Sequence, residues 1–119
     1  MKPGATGLTR IFHATRYSIQ GLEAAWKNEA AIRQEIALLV IFVPVTFFLP
    51  VTKLEQIALI VSLLLILLVE LLNSAIEAVV DRIGPEHHEL SGRAKDIGSA
   101  AVMIALFIAA IIWGGIVLL

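Results

Sequence analysis

Three long apolar runs follow an amphipathic N-terminal segment. None of the runs contains a charged residue, and they cover 36–51, 57–69 and 97–119. About 20 apolar residues in a helix span the roughly 30 Å hydrocarbon core of a bilayer. Together with the residues that flank the runs, this pattern predicts three transmembrane helices, at 36–51, 54–81 and 94–119.

Residues 8–35 show the pattern of an amphipathic helix. Large apolar side chains recur three, four or seven positions apart, at Leu8, Phe12, Ile19, Leu22 and Trp26. Because the basic residues fall elsewhere on the helical wheel, we predict a surface helix that lies in the membrane interface. A simple anchor is one interpretation. However, Glu29 and Glu35 would face anionic headgroups unfavourably unless a cation meets them, and a metal ion would be such a cation.

The composition is that of an integral membrane protein. Hydrophobic residues make up 59% of the chain and the mean hydropathy is +0.91, above the roughly 45–50% apolar content of soluble domains. The 119 residues predict a single membrane domain, 1–119. The net charge of −1 argues against a general nucleic-acid role, and the absence of cysteine excludes disulfides and thiolate metal ligands.

The distribution of Lys and Arg predicts the orientation in the membrane. Five of these residues precede the first span, one lies in the first loop, three lie in the second loop and none follows the third span. Cytoplasmic segments carry the excess of positive charge. We therefore predict a cytoplasmic N-terminus and a cytoplasmic second loop, with the C-terminus outside.

A polar stripe runs along the second predicted span. Its members fall within about a third of the helix circumference, and they are Glu70, Asn73, Ser74, Glu77 and Asp81. A carboxylate near the bilayer centre costs roughly 3 kcal/mol, which the neighbouring Leu, Ile and Val residues offset. Asn73 and Ser74 would also suit adhesion between helices. Intramembrane acids, in contrast, usually mark functional sites, so Glu70 and Glu77 are candidate site residues.

The loop between the second and third spans combines potential metal ligands with cations. Four of its residues can coordinate divalent ions, and they are Glu86, His87, His88 and Glu89, although their spacing is not that of a zinc motif. Lys95 and Asp96 lie where the third helix begins, beside Arg93. Cations near free backbone N–H groups suit a phosphate, and ordinary flanking of a span by positive charge is the alternative interpretation.

These groups would suffice for metal-assisted phosphoryl transfer. Glu29 and Glu77 offer oxygen ligands for Mg²⁺, Lys95 offers a positive charge for a phosphate, and Glu70 offers a proton acceptor for a lipid hydroxyl. Neither a P-loop nor a kinase signature is present. The residues alone therefore leave an enzyme and an ion-coupled transporter open, although transporters usually show repeats or broken helices that this chain lacks.

Three segments resemble the small prokaryotic diacylglycerol kinase family. They are NEAAIRQE at 28–35, VELLNSAIEAVVDRIG at 69–84 and EHHELSGRAKDIGSAAV at 86–102. The resemblance covers nearly the whole chain. It implies an all-α membrane protein of the bacterial cytoplasmic membrane, a homotrimeric helical bundle with an N-terminal surface helix and three spans per chain. It also implies active sites shared between subunits and transfer of the ATP γ-phosphoryl group to 1,2-diacylglycerol.

The resemblance also implies roles for individual residues. It places the catalytic base at Glu70 and the Mg²⁺ ligands at Glu29 and Glu77. The implied ATP contacts are Arg10, Tyr17, Glu29, Asn73, Glu77, Glu86, His87, His88, Lys95 and Asp96. The implied lipid contacts are Arg10, Ala14, Ile19, Glu23, Trp26, Ala31, Glu35, Glu70 and Ser99.

Two departures from the family pattern and two alternatives accompany this hypothesis. The first span carries Pro44 and Pro50, which bear on its lipid-facing contacts. His87 stands where the family usually has Tyr, which predicts a changed contact to the nucleotide. Undecaprenol, the acceptor of Gram-positive relatives, is the alternative lipid, although the 81–101 run is more similar to the diacylglycerol branch. A non-catalytic scaffold or ion pathway is the alternative from another class. It predicts that Glu70→Gln leaves function intact.

Overall fold

The structure, a computed structural model, describes residues 6–84 and 88–119. Within these residues the protein is all-α and has no strand, which confirms the all-α part of the prediction. The helices are α1, Gly7–Asn28; α2, Ala30–Thr46; α3, Lys53–Ile83; and α4, Glu89–Trp113. A short π-helical segment, Gly114–Leu118, continues α4.

Two helices are long and apolar enough to cross a membrane. They are α3 and the continuous helix Glu89–Leu118 that α4 begins. The counterpart of the first predicted span is α2, which has 17 residues. A membrane crossing by α2 and the homotrimer stay predictions.

The hydrophobic core lies where α2, α3 and α4 pack together. Leu63 and Ile66 of α3 meet Ala105 and Ala109 of α4, and all four are buried. Leu39 and Val43 of α2, with Val69 and Trp113, pack against this cluster. Small side chains one helical turn apart let two helices approach closely. The alanines of α4 therefore determine how near it lies to α3.

Side-chain hydrogen bonds join the helices near the α2–α3 turn. We call this region, residues 43–63 with Trp113, the turn end. The Nε1 of Trp113 donates to the Oγ of buried Ser62 at 3.0 Å, and the Nε2 of Gln56 donates to the Oγ1 of buried Thr46 at 3.2 Å. A reciprocal capping box between Thr52 and Glu55 starts α3. The turn end is therefore fixed by polar contacts as well as by the core.

The N-terminal region differs from the single helix predicted over 8–35. Helix α1 ends at Asn28, Glu29 has extended φ and ψ of −122° and 110°, and α2 begins at Ala30. The Nη1 of Arg33 donates to the Trp26 carbonyl at 2.6 Å and to the Lys27 carbonyl at 3.4 Å. The last carbonyls of a helix have no partner within the helix, so the guanidinium stabilises an end at this point.

The spans also have other bounds than the sequence predicts. Helix α2 occupies Ala30–Thr46 rather than 36–51, and it ends two residues after Pro44, before Pro50. Helix α3 runs from Lys53 to Ile83, slightly longer than 54–81. Helix α4 begins at Glu89 rather than at 94, because the Nδ1 of His88 accepts from the backbone N–H of Leu90 at 3.1 Å and caps it.

Candidate active site

Two polar side chains of α3 are buried one helical turn beyond its apolar core. Glu70 and Asn73 are each 8% exposed, whereas Glu77, one turn farther along, is half-buried. Ile66 precedes Glu70 by four residues and belongs to the hydrophobic cluster. The helical period thus places Glu70 at the boundary between the apolar core and the polar stripe.

Carboxylates from three parts of the chain lie in the region of Glu70. Glu29 comes from the corner between α1 and α2, Glu35 from α2 and Glu77 from α3. All three lie near enough to Glu70 for their charges to act on it. We call these four residues the acid end. Like charges in one place destabilise a fold unless a cation balances them, so the arrangement suits a bound cation.

The amide of Asn73 orients one of these carboxylates. Its Nδ2 donates to the Oε1 of Glu77 at 3.3 Å, and both residues lie on α3. The Oδ1 of Asn73 is buried and has no hydrogen-bond partner among the described residues. Hydrogen bonds of this kind orient ligating carboxylates in metal sites. Asn73 therefore supports the predicted role of Glu77.

The donor set fits Mg²⁺ held partly by substrate. Within residues 6–84 and 88–119, no three His, Asp or Glu side chains are grouped closely enough to hold a metal by themselves. Mg²⁺ is typically bound by one or two carboxylates together with substrate phosphates and water. Glu29 and Glu77 are carboxylates of this kind, and Mg²⁺ binding by them stays a prediction.

A lysine joins the acid end from α4. The Nζ of Lys95 forms an ion pair with Asp81 of α3 at 2.8 Å, and both side chains are partly exposed. The charge of Glu77 also acts on Lys95. The pair ties the start of α4 to the end of α3 and leaves the ammonium close to the proposed metal ligand. Asp81 belongs to the polar stripe, but the sequence did not reveal this contact.

An apolar groove opens between α1 and α3 beside Glu29. It has a volume of about 560 Å³, and small residues line much of it, including Ser18, Gly21, Ser74, Ala75 and Ala78. None of the predicted lipid contacts lines this groove. Ile19 and Glu23 line a separate shallow depression on α1. Sequence analysis missed the groove because its walls come from two helices whose relative register the sequence does not specify.

Several predicted contacts lie apart from the acid end in a single chain. Among the described residues, Arg10 and Tyr17 of α1 make no hydrogen bond or ion pair with it, and Tyr17 stacks on His13. Asp96 lines a depression on α4 with Glu89 and Arg93. The remaining exposed members on α1 and α4 are Ala14, Trp26, His88 and Ser99, whereas Ala31 on α2 is half-buried. Glu86 and His87 lie outside the described residues.

The fold and the acid end define a class of protein. It is an all-α protein of membrane composition with several carboxylates near its central helix, α3. The family model for prokaryotic diacylglycerol kinase matches residues 16–117. The chain belongs to this family.

Three curated bacterial relatives, each named diacylglycerol kinase, match over most of their length. The protein of Haemophilus influenzae is 61% identical over 93% of this chain and 94% of the relative. The protein of Escherichia coli K12 is 56% identical over 95% and 93%. The protein of Pseudomonas aeruginosa is 51% identical over 97% and 94%. The resemblance inferred from the three sequence segments is thus confirmed.

Proposed function

We propose that this protein transfers the γ-phosphoryl group of ATP to 1,2-diacylglycerol and forms phosphatidate and ADP. The observation that carries the proposal is the carboxylate cluster around buried Glu70, in a chain whose relatives are named diacylglycerol kinase. A lipid kinase needs a proton acceptor that a membrane lipid can reach and a cation site for phosphates. The acid end combines the two.

Glu70 is the proposed general base. Its position next to the apolar part of α3 is where a lipid hydroxyl would meet the polar stripe. The hydroxyl oxygen attacks the γ-phosphorus, its proton passes to a carboxylate oxygen of Glu70, and the bond between the γ-phosphorus and the bridging oxygen breaks to release ADP. Within the described residues Glu70 makes no hydrogen bond of its own, so its oxygens are available to substrate.

Glu29 and Glu77 are the proposed Mg²⁺ ligands. Asn73 fixes one oxygen of Glu77, and the corner between α1 and α2 presents Glu29. When bound, Mg²⁺ neutralises charge on the β- and γ-phosphates. Lys95, which pairs with Asp81 on the same helix as Glu77, would add a second positive charge there. His88 and Asp96 of the α4 region are further proposed nucleotide contacts, and so are Glu86 and His87, which lie outside the described residues.

A shared site accounts for the predicted contacts that lie apart in one chain. Arg10, Tyr17 and Ser99 are exposed and make no contact with their own acid end through a described hydrogen bond or ion pair. In a homotrimer, the α1 of one subunit would bring Arg10 and Tyr17 to the acid end of its neighbour. We propose this assembly in the cytoplasmic membrane, with the N-terminus and the acid end on the cytoplasmic side.

The test is transfer of ³²P from labelled ATP, with Mg²⁺, to diacylglycerol and separately to undecaprenol in mixed micelles. Wild type, Glu70→Gln and the control Glu55→Gln are compared. Glu55 undergoes the same change at the turn end, where glutamine also suits a capping box. We expect labelled phosphatidate from wild type and the control, and a loss of at least about 100-fold for Glu70→Gln with the assembly intact.

Each other outcome selects a different function. Label in undecaprenyl phosphate alone would keep the reaction and change the acceptor. Full transfer by Glu70→Gln would remove Glu70 as the base. No transfer to either lipid by assembled wild type would overturn the kinase proposal and favour a scaffold or an ion pathway.

A further inference from the structure

Gly98 of α4 lies directly against the side chain of Asn73. Gly98 is buried, and a Cβ built on it would overlap the Oδ1 of Asn73 and lie 3.2 Å from its Cγ. The backbone there is ordinary helix, so a left-handed conformation does not explain the glycine. What the position requires is the absence of a side chain.

The contact determines which way the amide of Asn73 can face. Its Oδ1 lies against Gly98 without a hydrogen-bond partner among the described residues, while its Nδ2 donates to Glu77. An unpartnered buried oxygen destabilises a fold. The arrangement therefore leaves the Oδ1 of Asn73 without a hydrogen bond and directs its Nδ2 at the carboxylate of Glu77. Asn73 links the backbone of α4 to an oxygen of Glu77.

We propose that Gly98 is a positioning residue for Mg²⁺–nucleotide binding. Because Gly98 has no side chain, the Asn73 amide fits against α4 and its Nδ2 donates to Glu77, which it would hold in a ligating orientation. This inference rests on the proposed function, in which Glu77 binds the cation. Nothing in the sequence pattern separates Gly98 from the other small residues of α4; only the register of α4 against α3 does.

A single added methyl group would break this arrangement. The overlap involves the Oδ1 of Asn73, with a tight contact to its Cγ, and the Asn73 side chain is buried. The amide must rotate or α4 must move away, and both changes displace Nδ2 from Glu77. Loss of a residue that orients a metal ligand typically lowers affinity or activity 10- to 100-fold.

The experiment compares Gly98→Ala with Gly114→Ala, Asn73→Ala and the double variant Asn73→Ala/Gly98→Ala. Gly114 is the matched control, since a Cβ there meets nothing within 4 Å. Two quantities are measured on the assembled full-length protein. The first is binding of Mn²⁺ in the presence of a non-hydrolysable ATP analogue, followed by electron paramagnetic resonance. The second is the Mg²⁺ concentration that gives half-maximal ³²P transfer to diacylglycerol.

We expect Gly98→Ala to weaken Mn²⁺ binding about 10-fold and to raise the half-maximal Mg²⁺ concentration by a similar factor, with Gly114→Ala within about 2-fold of wild type. In the Asn73→Ala background, Gly98→Ala should add less than about 2-fold, because the overlapping amide is already gone. Gly98→Ala alone could fail to assemble. The double variant would then be compared with Asn73→Ala, because both lack the amide that a Cβ at position 98 would overlap.

Two results would overturn the inference. One is that Gly98→Ala weakens Mn²⁺ binding as much in the Asn73→Ala background as it does in wild type. The other is a lower thermal stability of Gly98→Ala with unchanged Mn²⁺ binding, which would make Gly98 a packing residue only. Failure of the proposed function looks different, because wild type itself would then transfer no label.

Discussion

The turn end and the acid end of the bundle differ in whether their buried polar groups have hydrogen-bond partners. At the turn end, buried Ser62 and Thr46 both take part in hydrogen bonds between helices. At the acid end, carboxylates repel Glu70, and the Oδ1 of Asn73 is the one buried side-chain oxygen or nitrogen of residues 6–84 and 88–119 without a hydrogen-bond partner. The polar groups of the turn end therefore stabilise the fold. The carboxylates and the amide of the acid end are left free to bind a ligand.

The difference indicates where stability and activity are separable. Proteins depart from consistent local rules mainly at functional sites, and other parts of the fold compensate. Substitutions at the acid end should therefore reduce activity without loss of stability, and substitutions at the turn end should do the reverse. Two pairs of variants test this division, and a third pair tests the corner between α1 and α2.

Glu77→Gln should separate the two properties most clearly. The substituted amide oxygen can still accept the hydrogen bond from Asn73, but it brings no negative charge to Mg²⁺. We expect ³²P transfer to fall at least about 100-fold. The thermal midpoint in detergent should stay the same or rise, because one of the charges that repel Glu70 is gone.

Glu55→Gln is the matched control for Glu77→Gln. Its charge lies at the turn end, in the capping box of α3, and glutamine preserves that box. We expect near wild-type transfer and a near wild-type midpoint. A large activity loss in this control, or an active Glu77→Gln variant, would contradict the division between the two ends.

Arg33→Gln tests whether the corner between α1 and α2 positions Glu29. Arg33 donates to the carbonyls of Trp26 and Lys27 across the break in the helix. Without the guanidinium, the last turn of α1 should loosen, and the free energy of unfolding should fall by about 1 kcal/mol. Because Glu29 occupies the corner, we also expect a roughly 10-fold rise in KM for Mg–ATP with a smaller change in kcat.

Arg16→Gln is the control for charge alone. Arg16 is exposed on α1 and has no hydrogen bond or ion pair among the described residues. It should behave as wild type, and Arg33→Lys should recover part of the loss. If Arg33→Gln lowers stability with KM unchanged, the corner is structural and does not position Glu29.

Sequence periodicity explains how much of this was predictable. The apolar runs predicted an all-α protein, and the 3.6-residue period put Glu70, Asn73 and Glu77 on one face of a helix, as the structure confirms. Both patterns are local. The break at Glu29 was missed because neither Gly nor Pro occurs between 22 and 43. Its stabilising group, Arg33, lies seven residues beyond Trp26, past the end of α1.

The contacts between helices were beyond the reach of sequence patterns. The fit of Asn73 against Gly98, the Lys95–Asp81 pair and the groove beside Glu29 all depend on the register of one helix against another. Trp113 shows the same limit. Its indole packs on Phe42 of α2 and donates to Ser62 of α3, and neither contact follows from a pattern along the sequence.

The hydrogen bond between Trp113 and Ser62 gives the smallest expected effect on stability at the turn end. Ser62→Ala and Trp113→Phe remove opposite partners of one hydrogen bond at the turn end, 3.0 Å long. Each should lower the free energy of unfolding by about 1 kcal/mol, and the double variant should lose less than the sum, because the second change removes a bond already lost. Transfer of ³²P by all three should stay within about 2-fold of wild type, since the acid end is untouched. Additive losses of stability would show that the two side chains act separately, and a large loss of transfer would show that the turn end also controls the site.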